Sequence, residues 1–259
     1  MISFSRYLQQ TPTVDAHIHL FNVKNPIKYN SNYDKLVGFM DIEYDTKGDE
    51  VAAYDWFIEK YYDKNKHILL ATASSPENVI KIFEKHKNVI KGFGELKLYD
   101  KYQDKEVPYK KISILRSVCK LSTDNGNLPV YVHWELTNDR DVKSLENTLK
   151  AYPSVPIVLC HCGMNGENDE FSMWQCQKLS YMYSNLWLDI SYKSLDYFTL
   201  NPLKLYNLPM DRMIIGSDLN NKIFGPNHTD QEISSVESKV TQLRSIIPSD
   251  KNISSLFRL

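Results

Sequence analysis

Short apolar runs alternate along this chain with longer stretches whose apolar residues recur every three or four positions. The short runs predict strands over residues 13–18, 35–44, 67–74, 88–98, 128–134, 155–161, 185–190 and 212–217. The longer stretches predict helices over 49–62, 75–87, 108–122, 139–151, 169–183, 230–247 and 251–257, with a short one inside 195–207 broken by Pro202. In the first helix, Val51, Tyr54, Ile58 and Tyr61 are spaced for one face. Ser75 is placed to cap the second, with Pro76 at its first position. Eight strands, most followed by a helix, build a parallel sheet with helices outside. Eight such units in this length close into a (β/α)8 TIM barrel. The polar stretch 22–34 lacks helical periodicity, so the barrel is expected to be slightly distorted, a loop replacing the first crossover helix. No composition shift divides the chain, so residues 1–259 read as a single barrel domain.

Composition narrows the partners. Lysine and arginine number 31 against 32 aspartates and glutamates, so the basic excess of a nucleic-acid binder is missing. The apolar runs fall well short of the ~20 residues of a membrane-spanning helix. Residues 1–10 do not follow the pattern of a secretory signal, and four cysteines in 259 residues are too few for a disulfide framework. The expectation is a cytoplasmic protein acting on a small molecule, without nucleic acid or membrane; a homo-oligomer is compatible with the same composition. Cys160 and Cys162 flank His161 in the sixth apolar run. On one strand they would share a face, packing against helices while His161 points the other way.

Active sites of such barrels lie at the C-terminal strand ends. The first strand ends Asp15-Ala16-His17-Ile18-His19, and alternation puts Asp15, His17 and His19 on one face. The fifth strand ends in His133, the sixth in His161, and the eighth runs into Asp218; the fourth carries Glu95 and Lys97, two apart. A single strand-end histidine is ordinarily a packing residue, and His67 and His86 read that way. Four of the seven histidines at the ends of strands one, five and six, with Asp218, instead suit a divalent metal. A metal there polarises a substrate oxygen and lowers the pKa of water toward about 7, and Asp218 can carry the proton to the leaving group. Asp15 is a candidate for orienting a ligand histidine. Lys97, Trp134, Glu135, Tyr192, Lys193 and His228 lie near the same ends and are candidate substrate contacts.

These residues resemble the amidohydrolase superfamily, in particular its amidohydrolase-related (amidohydrolase 2-like) branch. Val14 to Leu20 looks like that family's strand-one motif, Val130 to His133 its strand-five histidine, and Ile157 to Gly163 its sixth strand. Asp211 to Asp218 is similar to its eighth-strand segment, and Ile253 to Leu259 to its closing helix. The resemblance implies metal ligands at His17, His19 and His161, with His133 as ligand or electrophilic partner and Asp218 as ligand and general base. At strand four the family places a carboxylated lysine or a glutamate; Gly94-Glu95-Leu96 resembles the glutamate of the TatD-like branch and favours Glu95 as ligand over Lys97. Zinc is the expected metal, as one ion or two, with manganese, iron and nickel acceptable to the same donors. The implied reaction is hydrolysis of an amide, ester or lactone. The same site in related branches serves a non-oxidative decarboxylase or a TatD-like phosphodiesterase or nuclease, and a non-catalytic metal-binding barrel is the remaining alternative.

Overall fold

The structure, a computed structural model, describes residues 13–21, 33–41, 48–98, 108–164, 169–219 and 230–259. Eight strands pair in chain order, each parallel to the next: β1 (Val14–Phe21), β2 (Lys35–Met40), β3 (His67–Ala71), β4 (Ile90–Lys97), β5 (Val130–His133), β6 (Ile157–Leu159), β7 (Leu186–Ile190) and β8 (Met213–Ile215). Between and after them lie α1 (Glu50–Lys60), α2 (Pro76–Lys85), α3 (Pro108–Asp124), α4 (Asp139–Ala151), α5 (Glu170–Met182), α6 (Lys193–Leu200), α7 (Asp230–Arg244) and α8 (Ser249–Phe257). The residues after β8 return to β1: His19 N–H donates to Leu219 O at 3.0 Å and Asp218 N–H to His17 O at 2.8 Å. This is the (β/α)8 barrel that the alternation predicts. The expected loop after the first strand falls on 22–34, of which 22–32 lie outside the described residues.

Side chains near the helix starts define them. Asp49 accepts from the Val51 and Ala52 N–H groups, Ser75 from Asn78, Asn138 from Arg140 and Asp141, and Asp169 from Ser172. Each satisfies donors that the first helical turn leaves open. On α1 the buried face is Ala53, Tyr54 and Phe57, whereas Tyr61 is exposed. The predicted Val51–Tyr54–Ile58–Tyr61 stripe is therefore rotated: the Tyr54 hydroxyl donates to Leu70 O at 2.6 Å and sets the helix's rotation on the sheet.

The core has two parts. A large apolar shell lies between strands and helices. A smaller cluster within the barrel includes Val37, Phe39, Leu70, Tyr131, Val158 and Ile214, and α8 adds Ile253 and Leu256 to it. Helix α8 sits at the N-terminal strand ends, where Asp250 accepts from the Val14 N–H and Asn252 donates to Met213 O. Gly216 allows the β1–β8 seam to close: a Cβ there would lie 2.3 Å from His17 Cβ and 2.5 Å from its backbone nitrogen.

Two predicted alternations fail. Between Asp15 and Ile18, β1 advances three residues while β2 advances two. The extra residue is a bulge, and a bulge breaks simple alternation. Asp15 pairs with Leu36 of the outer shell, while His19 pairs with Phe39 of the inner cluster, so Asp15 does not share the histidines' face. The sixth strand stops at Leu159, and His161 and Cys162 both take φ 54° in the turn that follows. The cysteines consequently part company: Cys162 packs in the outer shell, as expected, but Cys160 lies in the inner cluster.

Candidate metal centre

Six side chains from five places in the chain meet at the C-terminal mouth of the barrel. His17 and His19 come from β1, Glu95 from β4, His133 from β5, His161 from the turn after β6, and Asp218 from just beyond β8. Asp218 Oδ1 lies 3.1 Å from both His17 Nε2 and His19 Nε2. Glu95 Oε1 lies 2.7 Å from His133 Nδ1 and 3.5 Å from His161 Nε2. The donor atoms thus form two close groups, His17–His19–Asp218 and Glu95–His133–His161. Glu95 stands between them, its oxygens 3.9 Å from His17 Nε2 and 3.8 Å from His19 Nε2. All are buried except the half-buried His133.

Two residues absent from the sequence reading organise the cluster. Asp189 Oδ2 accepts from His17 Nδ1 at 2.6 Å and from the Ser191 hydroxyl at 2.6 Å. Ser191 Oγ in turn accepts from His161 Nδ1 at 2.8 Å. With Nδ1 engaged from behind, each ring turns its Nε2 toward the centre, where loss of the Nε2 proton would expose a lone pair. Both Nε2 atoms are buried without a hydrogen-bond partner. Imidazole nitrogens held from behind and facing carboxylates are a donor set that fits a divalent cation, which would displace their protons on binding. Asp189 and Ser191 are two apart at the end of β7, the signal that singled out His17 and His19 on β1. Asp15 does not take the orienting role expected of it: its Oδ1 accepts from the backbone N–H groups of Ser217 and His17, not from a ring.

The charges interlock. Burial disfavours a charge on His17, but the carboxylates of Asp189 and Asp218 outweigh it and hold its pKa well above the ordinary histidine value. Burial likewise opposes ionisation of Asp218 and Glu95, yet neighbouring histidines keep both carboxyls below the usual carboxylate range. His133 goes the other way: burial dominates the pull of Glu95 and lowers it to about 4, leaving a neutral imidazole. The ends of β6, β7 and β8 each carry a non-glycine residue at positive φ, namely His161, Tyr192 and Asp218. Such conformations are sparse and gather where a fold must aim a side chain.

The remaining candidates divide. Tyr192 is exposed, with its ring 5.9 Å from that of His161, and Lys193 Nζ lies 5.7 Å from the Tyr192 ring. Glu135 is half-buried beyond β5. Lys97 Nζ lies 3.6 Å from Asp41 Oδ1, which is 3.5 Å from His19 Nδ1, so its charge is engaged behind the cluster. Trp134 is buried in the outer apolar shell, with the packing residues and not on a substrate-facing wall. His228 lies outside the described residues. His86 pairs with Asp55 and His67 accepts from the Asp63 N–H, both away from the cluster as expected.

No protein-family model and no curated protein matches the chain. Solved structures match it in fold. A zinc-bound amidohydrolase from Burkholderia multivorans superposes with a TM-score of 0.64 at 11% identity, covering 96% of this chain and 99% of that one. A probable 2-pyrone-4,6-dicarboxylic acid hydrolase from Acinetobacter baumannii, with citric acid bound, gives 0.59 at 15% identity over 96% and 100%. A TatD family hydrolase from Entamoeba histolytica gives 0.54 at 11% identity over 95% and 97%. The likeness is one of architecture: this chain carries its histidines and carboxylates on the barrel that these hydrolases also use.

Proposed function

We propose that the chain is a metal-dependent hydrolase of the amidohydrolase type, acting on a carbonyl-type bond (amide, ester or lactone) of a small molecule. One observation carries the reading: two buried imidazoles, His17 and His161, are held at Nδ1 by the Asp189–Ser191 pair and turn their Nε2 atoms toward Asp218 and Glu95. His17, His19 and Asp218 would hold a first divalent ion; Glu95, His133 and His161 offer donors for a second. Zinc is the first choice for these nitrogen and oxygen donors, and the zinc-bound neighbour supports it. When bound, the metal supplies Lewis-acid polarisation of the substrate oxygen and a lowered pKa for water.

The chain's own residues do the rest. Asp218, a carboxylate 3.1 Å from both His17 Nε2 and His19 Nε2, would accept the proton of an attacking water and return it to the leaving group. His133, neutral at working pH, serves as ligand or as the group that supports charge on the substrate oxygen. Tyr192 and Lys193 stand at the rim beside His161 as substrate contacts.

The test is metal analysis and turnover of the purified chain over amides, esters, lactones, phosphodiesters and aromatic acids. Asp218→Asn is expected to keep the fold and lower turnover by about 10²–10⁴-fold. Near-normal turnover in that variant overturns the role given to Asp218. Loss of CO2 from an acid, or cleavage of phosphodiesters alone, replaces hydrolysis of a carbonyl bond; bound metal with no turnover on any class leaves a binding barrel. Metal content falling from two equivalents to one in Glu95→Ala supports a bridging carboxylate, whereas one unchanged equivalent assigns a mononuclear site.

A further inference from the structure

The two histidines of β1 are not held alike. His17 Nδ1 donates to Asp189 at 2.6 Å, whereas His19 Nδ1 is buried with no hydrogen-bond partner among the described residues. Leaving a buried polar atom unpaired costs about 1–3 kcal/mol, so such an atom calls for a partner. The carboxylate that faces it belongs to Asp41, whose Oδ1 is 3.5 Å away.

Asp41 is the residue after β2. It is 4% exposed, and its N–H donates to Phe21 O at 2.7 Å, which ties it to the end of β1. Along β2, Leu36 and Met40 lie in the outer shell and Val37 and Phe39 in the inner cluster, so alternation turns Asp41 inward with Phe39. The two residues take one ring from two sides. Phe39 packs edge-on to His19 with centroids 4.9 Å apart, and Asp41 stands at Nδ1. Lys97, the last residue of β4, places Nζ 3.6 Å from the same Oδ1. A buried carboxylate without a counter-charge is costly, and Lys97 supplies that charge.

We infer that Asp41 is the positioning carboxylate of His19 in the metal-loaded chain, the counterpart of Asp189 behind His17. The inference rests on the proposed metal centre. A cation at His19 Nε2 fixes the remaining ring proton on Nδ1 and makes it a stronger donor. Closing the gap by about half an ångström then gives an ordinary N–H···O bond of about 3.0 Å, and hydrogen bonds of this kind commonly tighten when a ligand seats. If Asp41 merely balanced Lys97, removing it would change stability and leave metal affinity alone.

Zinc affinity of the full chain, measured against a competing chelator, is expected to fall about 10-fold in Asp41→Asn and further in Asp41→Ala, with the zinc-free circular dichroism of both unchanged. Ring-nitrogen NMR of the zinc-loaded wild-type chain reads the same bond without a variant at Asp41: His19 is expected to carry zinc on Nε2 and a downfield, hydrogen-bonded proton on Nδ1. Zinc on Nδ1, or an Nδ1 proton without that downfield shift, overturns the inference. A wild-type chain that takes up no zinc overturns the metal-centre reading and this inference together. Zinc held equally by wild type and Asp41→Ala overturns this inference alone.

Discussion

Asp189 serves two histidines at once. One of its oxygens takes the Nδ1 proton of His17 directly and that of His161 through the Ser191 hydroxyl. Groups behind a ligand histidine commonly change metal affinity by about 10–100-fold, so Asp189→Asn is expected to weaken metal binding by that much and Ser191→Ala by less. Titration against a competing chelator measures both; unchanged affinity in Asp189→Asn removes the orienting role. Asp15 sets a different test. Burial raises its carboxyl from 3.8 to about 6, against hydrogen bonds from Ser217 and His17 that lower it. Between those values the folded chain keeps a proton that the unfolded chain has lost, so this group's contribution is full below pH 3.8 and fades as pH rises through 6, by up to about 3 kcal/mol. Urea melts from pH 4 to 8 are expected to show a flatter dependence for Asp15→Asn, and parallel curves would count against it. At this scale the histidines, Glu95 and Asp218 were legible, because their side chains bear metal chemistry at predicted strand ends. Asp189 was not, hidden as the one charge in the apolar run Leu186–Ile190. Asp15 misled because a bulge leaves no mark in sequence.

Elements bring those residues within reach, and the β1–β8 seam is the tightest constraint. Any side chain at Gly216 meets the His17 backbone, which cannot swing aside as a flexible side chain would. Gly216→Ala is therefore expected to cost about 1–3 kcal/mol and to weaken metal binding by moving His17; a thermal melt and a metal titration of one preparation check both. A variant as stable as wild type would mean that the seam yields. Element existence and order were readable from periodicity. Helix α4 runs Asp139–Ala151 as predicted, with Asn138 capping one end and Pro153 beyond the other. The end of β6 was not readable: His161 and Cys162 take left-handed conformations that side-chain type does not announce, and only Gly163 hints at a turn.

At the scale of the molecule, the barrel closes only when distant parts of the chain meet. The N–H of Val14 is taken by Asp250, Arg244 reaches both Val14 O and Asp250, and Asp15 holds the Ser217 N–H. A chain ending after Asn207 lacks β8, α7 and α8 and is expected to be cleaved by protease at low dose and to hold no metal under conditions that load the full chain; a resistant fragment would show that seven strands suffice. The sequence indicated a helix near the C-terminus but not its place against the N-terminal strand ends, since that depends on partners more than 200 positions away. Synthesis follows chain order. At about 5–20 residues per second, His17 and His19 leave the ribosome roughly 10–40 s before Asp218 exists. Throughout that interval the nascent polypeptide displays imidazoles without the carboxylate that completes their group. On the proposed reading, loading with metal is thus a late event, after translation has passed the eighth strand, and a cell short of the free ion would accumulate finished but empty barrels before it accumulated unfinished ones.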